Sequence, residues 1–294
     1  MIKNVRVSVI IPAYNAAPWL KVAVDSVLAQ TLQDLEVIVV NDGSTDATSA
    51  IAHAMSDPRI RTIDQSNAGV SLARNTGIDH AIGEFITFLD ADDSMEPENL
   101  KIKVDVLDDP DLDWVFGDLV LCDPSLEPTG SVMVGTDGDV VRTILLGRDT
   151  AVPGTCSNIL SRRRCFEGGI RFDPTLSNAA DQDMALQLAN AFRYKRIPRA
   201  LTRYRILDGS MSKNIELYEK DHERLMDKAI RTGLLDDPAF RRICVANSNW
   251  AIGGSWWVNG ASKRRAIPFL LRAIAMRPSL LLRVFRRMGG NGTD

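Results

Sequence analysis

The chain has 294 residues, 45% of them hydrophobic, which is enough for one large domain or one domain with an appendage. No apolar run approaches the roughly 18 to 20 residues of a membrane span, and the N-terminus shows no signal-peptide pattern. We therefore expect a soluble, cytoplasmic protein. The cysteines lack paired spacing and the histidines form no ligand pattern, which disfavours zinc and redox sites.

The first hundred residues alternate between strand and helix patterns. Mostly apolar runs predict buried strands at residues 7–11, 35–40 and 85–89, and a short third strand is predicted at 60–63. Helices are predicted at 19–30, from helical spacing, and at 70–81. Strands separated by helices imply right-handed crossovers and a mainly parallel, Rossmann-like sheet flanked by helices. In such α/β sheets the ligand binds beyond the carboxyl ends of the strands.

The remainder of the chain is less regular. A helix is predicted at residues 100–107, a strand at 114–121 and helices at 183–192 and 217–230. Two more helices are predicted near the end, with the apolar residues Ile267, Leu270, Leu271 and Ile274 in the first and Leu281, Val284, Phe285 and Met288 in the second. We divide the chain into a catalytic domain, residues 1–212, and a helical C-terminal appendage, residues 213–294.

Charge is unevenly distributed along the chain. The net charge is only −3, yet ten Lys or Arg residues and a single acid, Asp294, follow Asp237. An acidic body argues against a nucleic-acid partner, and a basic tail favours peripheral contact with an anionic membrane, with a solvated basic face as the alternative. Trp250, Trp256 and Trp257 are expected to pack the appendage onto the main domain; an acceptor groove or a membrane interface is the alternative.

An acidic motif, Asp90-Ala91-Asp92-Asp93, follows the fourth predicted strand. In an extended chain, residues two apart point the same way, so Asp90 and Asp92 would present two carboxylates at the ligand-binding edge. Mg²⁺ and Mn²⁺ prefer such carboxylates, with phosphate oxygens completing their coordination. A divalent metal is therefore the predicted cofactor, and a solvated acidic turn is the alternative.

Further candidate binding residues follow the other strands. Asp42 ends the second strand and can accept hydrogen bonds from a nucleotide base, and Tyr14 can stack on one. The neighbouring candidates are Pro12, Ala13, Asn15 and Asn67. Arg74 can pair with a phosphate or, equally, brace a loop carboxylate. Neither GxGxxG nor GxxxxGK[ST] occurs in the chain, which disfavours a dinucleotide oxidoreductase and a P-loop NTPase.

Four ordered sequence blocks together carry a resemblance. They are residues 7–15 (VSVIIPAYN), 39–46 (VVNDGSTD), 73–77 (ARNTG) and 88–93 (FLDADD). They closely match the signature blocks of family 2 glycosyltransferases, whose fold is GT-A. The resemblance is specific over about ninety residues and weaker as far as Ser212.

The resemblance implies roles for individual residues. Asp42 would contact the nucleotide base with Arg74 near it, Asp90 and Ala91 would contact the nucleotide or metal-bound water, and Asp92 would bind the metal. Asp181 would be the catalytic base. The residue before the base is usually acidic but is Ala180 here, so Asp183 remains an alternative. Arg205 and Ser210 would contact the diphosphate, since Leu207 stands where a histidine is expected.

The implied activity is a metal-dependent, inverting transfer of a sugar from a nucleoside-diphosphate donor to an acceptor hydroxyl. UDP is the first choice of nucleotide, with dTDP and GDP as alternatives. The acceptor would be a carbohydrate or lipid-linked sugar in bacterial polysaccharide or glycolipid assembly, bound in the variable segment 112–155. The rival readings are a nucleotidyltransferase, which would usually carry a Gly-rich basic loop after the first strand, and a catalytically degenerate nucleotide-sugar-binding module.

Overall fold

The computed structural model describes residues 5–147, 150–154, 156–208, 214–260 and 262–281. The strands within them are β1 Val7–Ala13, β2 Leu35–Asp42, β3 Ile60–Gln65, β4 Phe85–Phe88, β5 Ser94–Met95, β6 Trp114–Cys122, β7 Pro128–Met133, β8 Ile159–Arg162 and β9 Tyr194–Arg205. The helices are α1 Leu20–Leu28, α2 Thr48–Ala54, α3 Val70–His80, α4 Asn99–Leu107, α5 Val140–Leu146, α6 Arg164–Glu167, α7 Ala180–Ala191, α8 Ile215–Arg231, α9 Pro238–Asn259 and α10 Lys263–Met276. Two short 3-10 turns span Cys156–Asn158 and Pro278–Leu280.

The first four strands form a parallel sheet in the order β3-β2-β1-β4. Every residue of β1 and β2 is buried, which agrees with their continuous apolar sequences and with helices covering both faces of the sheet. The predicted crossover arrangement is confirmed here, and it brings the carboxyl ends of β1, β2 and β4 to one edge.

The second half of the sheet is mixed. β8 pairs antiparallel to β4 and to β6, β7 pairs antiparallel to β6, and β9 runs parallel to β6. Pro198 lies inside β9, and the β6–β9 register shifts between Phe116 and Asp118 on the facing strand. Proline cannot donate a ladder hydrogen bond, so an irregularity at that point is expected. Of these strands, only β6 was predicted from the sequence, as a strand at residues 114–121.

Close packing joins α3 to β1. A Cβ added to Gly77 in α3 would lie 2.3 Å from Cγ2 of Ile10 in β1, so only a glycine allows this approach. Ile10 is itself fully buried. This contact holds α3, and with it the side chain of Arg74, directly over the parallel sheet.

The chain divides into two compact units, Met1–Val141 with Thr150–Gly209, and Arg142–Asp149 with Ser210–Asp294. The first contains the sheet; the boundary predicted at residue 212 stays a prediction. The second contains α8, α9 and α10, where Trp256 packs with Ile252, Ala266 and Phe269. Throughout the described ranges, no helix combines the length and apolar character that crossing a bilayer requires.

Two local expectations were wrong or incomplete. Asp90 to Asp93 form a turn, closed by a 3.0 Å hydrogen bond from the Asp93 N–H to the Asp90 carbonyl, rather than an extended chain. Residues 238–259 form a single long helix that the sequence pattern did not reveal. The last predicted helix lies outside the described residues except for Leu281.

Candidate active site

The loops after β1 and β2 are tied together at the carboxyl edge of the sheet. The side-chain oxygen of Asn15 accepts the Thr45 N–H at 2.8 Å, and the Asn15 N–H donates to Ser44 Oγ at 3.1 Å. Pro12 and Ala13, the last residues of β1, are buried beneath these loops, whereas the Tyr14 ring is about half exposed. The two loops therefore lie side by side at this edge, and the Tyr14 ring has an accessible face.

The Asp42 carboxylate holds the neighbouring loop. Its oxygens accept hydrogen bonds from the backbone N–H groups of Ala68 and Gly69, at 2.9 and 2.8 Å, and from the Gln65 amide at 2.7 Å. Gly43 has φ +68° and lies so close to Asn67 that an added Cβ would be 2.5 Å from the Asn67 N atom. Asp42 and Asn67 are thus brought to one place, and Asp42 has a loop-binding role that its motif did not predict.

The turn from Asp90 to Asp93 is held in place by hydrogen bonds to residues that come later in the sequence. Asp93 is buried, and its carboxylate accepts the Arg205 N–H at 3.0 Å and the Ser157 hydroxyl at 3.4 Å. Ser157 Oγ in turn accepts the Asp90 N–H at 3.0 Å. Asp93 and Ser157 therefore set the position of the turn that carries Asp90 and Asp92, while Ala91 is buried within it.

Arg74 connects two carboxylates that are far apart in sequence. Its Nη2 donates to Asp90 Oδ1 and its Nη1 donates to Asp181 Oδ1, both at 2.7 Å. The Arg74 side chain is only 4% exposed, and its guanidinium lies 5.1 Å from the ring centroid of Phe172. Of the two roles considered for Arg74, bracing a carboxylate is the one that the structure contains.

Helix α3 also positions the segment that leads into α7. The Asn75 side chain pairs reciprocally with the backbone of Phe172, and Ser71 Oγ donates to the Leu176 carbonyl at 2.8 Å. These bonds bring Asp181, in the first turn of α7, to Arg74. Asp183 is buried and accepts a hydrogen bond from Gln187 at 2.8 Å, so the two candidate bases occupy different surroundings.

Burial and crowding shift the acidity of this cluster. Burial and the neighbouring Asp90 raise the pKa of Asp92 to about 6, and burial with the two other carboxylates raises that of Asp93 well above its ordinary value. Burial also raises the pKa of Asp181, although Arg74 opposes the shift. Asp181 additionally accepts hydrogen bonds from the thiol and N–H of Cys156, a thiol whose pKa burial raises.

The Arg205 side chain contacts the acidic turn and does not extend into solvent. Its Nε donates to the Asp92 carbonyl at 2.7 Å, and its Nη1 donates to the Pro124 carbonyl. Its predicted contact with the diphosphate stays a prediction, and these bonds direct two of its donors elsewhere. Ser210 lies outside the described residues.

The acidic turn suits a cation whose coordination is completed by oxygens of a bound phosphate group. No cluster of three or more His, Cys, Asp or Glu side chains suited to hold a metal occurs among the described residues. Mg²⁺ nevertheless needs only one or two carboxylates when phosphates supply the other oxygens. Among those residues the Asp92 carboxylate accepts a hydrogen bond only from its own N–H, and burial together with the neighbouring charge of Asp90 raises its pKa. Its chemistry therefore fits a divalent metal.

Several site residues were not found from sequence. Cys156 and Ser157 lie in a 3-10 turn just before β8, immediately after the segment 112–155 that was assigned to the acceptor. Their neighbours form no motif, so no signal in the sequence marked them. Asn75 stood within the third block, but its pairing with Phe172 joins residues 97 positions apart and has no local signature.

Comparison with known proteins identifies the family. The profile described as "Glycosyl transferase family 2" matches residues 8–163, more than half of the chain. Chondroitin synthase from Pasteurella multocida is 30% identical over 238 residues, 76% of this chain but 23% of that protein. The chain spans only 14% to 38% of the length of the first curated relatives that it matches.

Two solved structures share the fold. TarS residues 1–349 from S. aureus, in complex with UDP-GlcNAc, superposes with a TM-score of 0.62 at 17% identity, covering 98% of this chain and 94% of that one. The mannosyltransferase PcManGT from Pyrobaculum calidifontis, in complex with GDP-Man and Mn²⁺, gives a TM-score of 0.61 at 23% identity and covers 97% and 80%. The expected GT-A fold is confirmed, and on the family match this chain belongs to glycosyl transferase family 2.

Proposed function

We propose that the chain transfers a sugar from a nucleoside-diphosphate donor to an acceptor hydroxyl, with inversion at the anomeric carbon. The observation that supports this most is the ion-paired triad of Asp90, Arg74 and Asp181 at the carboxyl edge of the sheet. It joins a carboxylate of the acidic turn, on the proposed donor-binding side, to a carboxylate on α7, the proposed base. Family membership favours sugar transfer over nucleotidyl transfer.

Asp181 is the proposed base. Burial raises the pKa of Asp181, which makes its carboxylate a better proton acceptor than that of an ordinary aspartate. It takes the acceptor hydroxyl proton as that oxygen attacks the anomeric carbon; the new glycosidic bond forms, and the bond to the diphosphate oxygen breaks. A single displacement inverts the configuration. The location of Asp183 beside Gln187 supports Asp181 over Asp183.

The nucleotide is proposed to bind across the loops after β1 and β2. The half-exposed Tyr14 ring can stack on the base, and Asp42 retains lone pairs for a base N–H in addition to its loop contacts. UDP is the first choice of donor nucleotide, with dTDP and GDP as alternatives. The UDP-GlcNAc and GDP-Man bound by the two structural neighbours support this range.

A divalent cation, Mg²⁺ or Mn²⁺, is proposed to bind at Asp92. When bound, it would neutralise the charge that develops on the leaving nucleoside diphosphate. Asp90 orients the turn through Arg74, and Arg205 fixes its backbone. The Mn²⁺ in the mannosyltransferase neighbour supports this assignment.

The acceptor is proposed to be a carbohydrate or lipid-linked sugar, in bacterial polysaccharide or glycolipid assembly. Related proteins include chondroitin and hyaluronan synthases of Pasteurella multocida and a glycosyltransferase named EpsJ in Bacillus subtilis. A lipid-linked acceptor would require the enzyme to work at a cytoplasmic membrane surface.

A donor screen tests the reaction. Purified protein is incubated with UDP-, dTDP- and GDP-sugars, Mn²⁺ and a panel of carbohydrate and lipid-linked acceptors, and the products are identified by mass spectrometry and by the anomeric NMR coupling. A new glycosidic bond of inverted configuration with release of nucleoside diphosphate is expected. Asp92→Asn and Asp181→Asn should abolish it, and the exposed Asp105→Asn, whose partner is Lys101, should not.

Other outcomes identify the rival functions. Release of pyrophosphate with formation of a nucleotide-sugar would identify a nucleotidyltransferase. Donor binding in calorimetry without turnover on any acceptor would favour a degenerate binding module, the reading that Ala180 and Leu207 suggested.

A further inference from the structure

Helices α9 and α10 form a hairpin with one fully packed side. A Cβ added to Gly253 in α9 would lie 2.8 Å from Leu270 in α10, so the two helices approach closely. Arg265 lies over the buried Trp256 ring, 4.2 Å from its centroid, and pairs with Glu216 of α8 at 2.7 Å. The aromatic and charged groups on this side therefore have partners within the second unit.

The opposite side of the hairpin exposes apolar side chains. Ile267 and Leu271 are four residues apart, so they lie one above the other on the outer face of α10. Leu271 is 62% exposed, and Trp257, at the end of α9, is also exposed. Single apolar side chains are common on protein surfaces, but these three are large and lie close together, so they form an exposed apolar patch.

Positive charge accompanies these apolar side chains. The Lys263 ammonium lies 5.4 Å from the centroid of the Trp257 ring and is four residues before Ile267. Arg264 follows and is also exposed. No acidic residue occurs in the sequence between Asp237 and Asp294. Trp257, Lys263, Arg264, Ile267 and Leu271 together are called here the basic apolar face.

We propose that the basic apolar face binds the surface of an anionic lipid bilayer. Tryptophan and aliphatic side chains beside lysine and arginine are the composition of helices that lie in the membrane interface, with apolar groups at the acyl boundary and cations at the headgroups. The complementary charge favours lipid over a second copy of this chain, because two identical basic faces would repel each other.

The sequence after Leu281 is also basic. It contains Arg283, Arg286 and Arg287, which lie outside the described residues. Reversible attachment to a membrane needs two contributions from the same chain. Apolar side chains insert at the acyl boundary, and several cations are attracted to the anionic headgroups. The proposal goes beyond the transfer reaction and does not depend on it, so loss of either function leaves the other measurable.

Flotation of the full chain with vesicles tests the proposal. The vesicles are phosphatidylcholine alone or phosphatidylcholine with about one third phosphatidylglycerol, since anionic lipid attracts each basic residue with about 1 kcal/mol. We expect binding only to the anionic vesicles, weakened at high salt. Lys263→Gln with Arg264→Gln should weaken it about tenfold or more, from that value per charge.

Matched variants separate this face from general surface effects. Leu271→Gln should weaken binding several-fold, whereas Ile82→Gln, at a position that is 57% exposed in the first unit, should not. Lys195→Gln with Arg199→Gln removes two exposed cations from β9 and serves as the charge control. Circular dichroism melts confirm that each variant is folded.

Three results would overturn the proposal. The first is failure of the wild-type chain to bind anionic vesicles. The second is equal binding to neutral vesicles, and the third is equal loss of binding in the control variants. A concentration-dependent dimer in sedimentation equilibrium that Leu271→Gln dissociates would assign the face to a second copy of the chain instead.

Discussion

Nη1 of Arg74 donates to Oδ1 of Asp181 at 2.7 Å, which joins two residues that are 107 positions apart. The other nitrogen of the same guanidinium binds Asp90. A rigid, planar group thereby fixes the spacing between the acidic turn and the first turn of α7. The geometry proposed for sugar transfer therefore depends on a residue that need not touch the substrate.

Replacement of Arg74 is expected to damage both stability and turnover. Arg74→Gln removes a buried cation from two partly buried carboxylates, and breaking a buried ion pair typically costs about 3–5 kcal/mol. Urea unfolding measures this loss, and kcat should fall at least about a hundredfold because Asp181 loses its position. Arg199→Gln, which breaks an exposed pair with Glu98, should cost no more than about 0.5 kcal/mol. Equal unfolding midpoints for the two variants would refute the structural role of Arg74.

Replacement of Asp92 is expected to stabilise the metal-free protein. The pKa of Asp92 in the folded state, about 6, is above its ordinary value, so stability is present at low pH and is lost as pH rises through that value. At pH 7.5 in EDTA, Asp92→Asn should raise the free energy of unfolding by about 1–2 kcal/mol, since one pKa unit corresponds to about 1.4 kcal/mol.

The same variant should lose the response to metal. Mn²⁺ with UDP should raise the melting temperature of the wild type and leave that of Asp92→Asn unchanged. Asp105→Asn should behave as the wild type in both measurements. A lower melting temperature for Asp92→Asn in EDTA would show that its carboxylate is not electrostatically strained.

The pH dependence of turnover reports on Asp181. A base must be ionised, so kcat/KM should fall as pH drops through the pKa of Asp181, and burial places this acidic limb above the ordinary value of about 4. Asp181→Asn should reduce kcat by about 10²–10⁴-fold, the usual contribution of a general base. Asp183→Asn should retain the acidic limb; its loss in that variant instead would transfer the role of base to Asp183.

The parallel half of the fold was predictable because each of its strands is marked by its own local sequence pattern. The runs at residues 7–11 and 35–40 are mostly apolar on both faces, which identifies buried parallel strands, and the polar residues after them mark the ligand edge. Asp90 and Asp92 were found for the same reason. The assumption of an extended chain failed because Asp93 is bound by Arg205 and Ser157, which come much later in the sequence.

The remaining site features depend on distant partners. Arg74 had a phosphate and a carboxylate as equally plausible ligands until the fold brought Asp181 beside it. Gly253 lies within α9, where the absence of a side chain allows the close approach of Leu270. Neither relationship leaves a periodic signal in the sequence.

The glycine in the third block offers a test of packing. Gly77→Ala should destabilise the protein by about 1–3 kcal/mol, because the added methyl group meets the buried Ile10 side chain and overpacks the core. Gly168→Ala, at a site with φ −77° and nothing within 4 Å of the new Cβ, should be neutral or stabilising by about 0.4–1 kcal/mol. Chemical denaturation of both variants measures the contrast, which would vanish if α3 could shift away from β1.

The end of β9 is fastened to the acidic turn, since Arg205 binds both the Asp93 carboxylate and the Asp92 carbonyl. If the proposed cation binds at Asp92, its affinity is thermodynamically linked to the position of this strand end. Any ligand that displaces the strand end will change the dissociation constant of the cation, and the cation will change the affinity for that ligand by the same factor. Ordered binding of metal and substrate would then arise from a single strand terminus, without a domain movement.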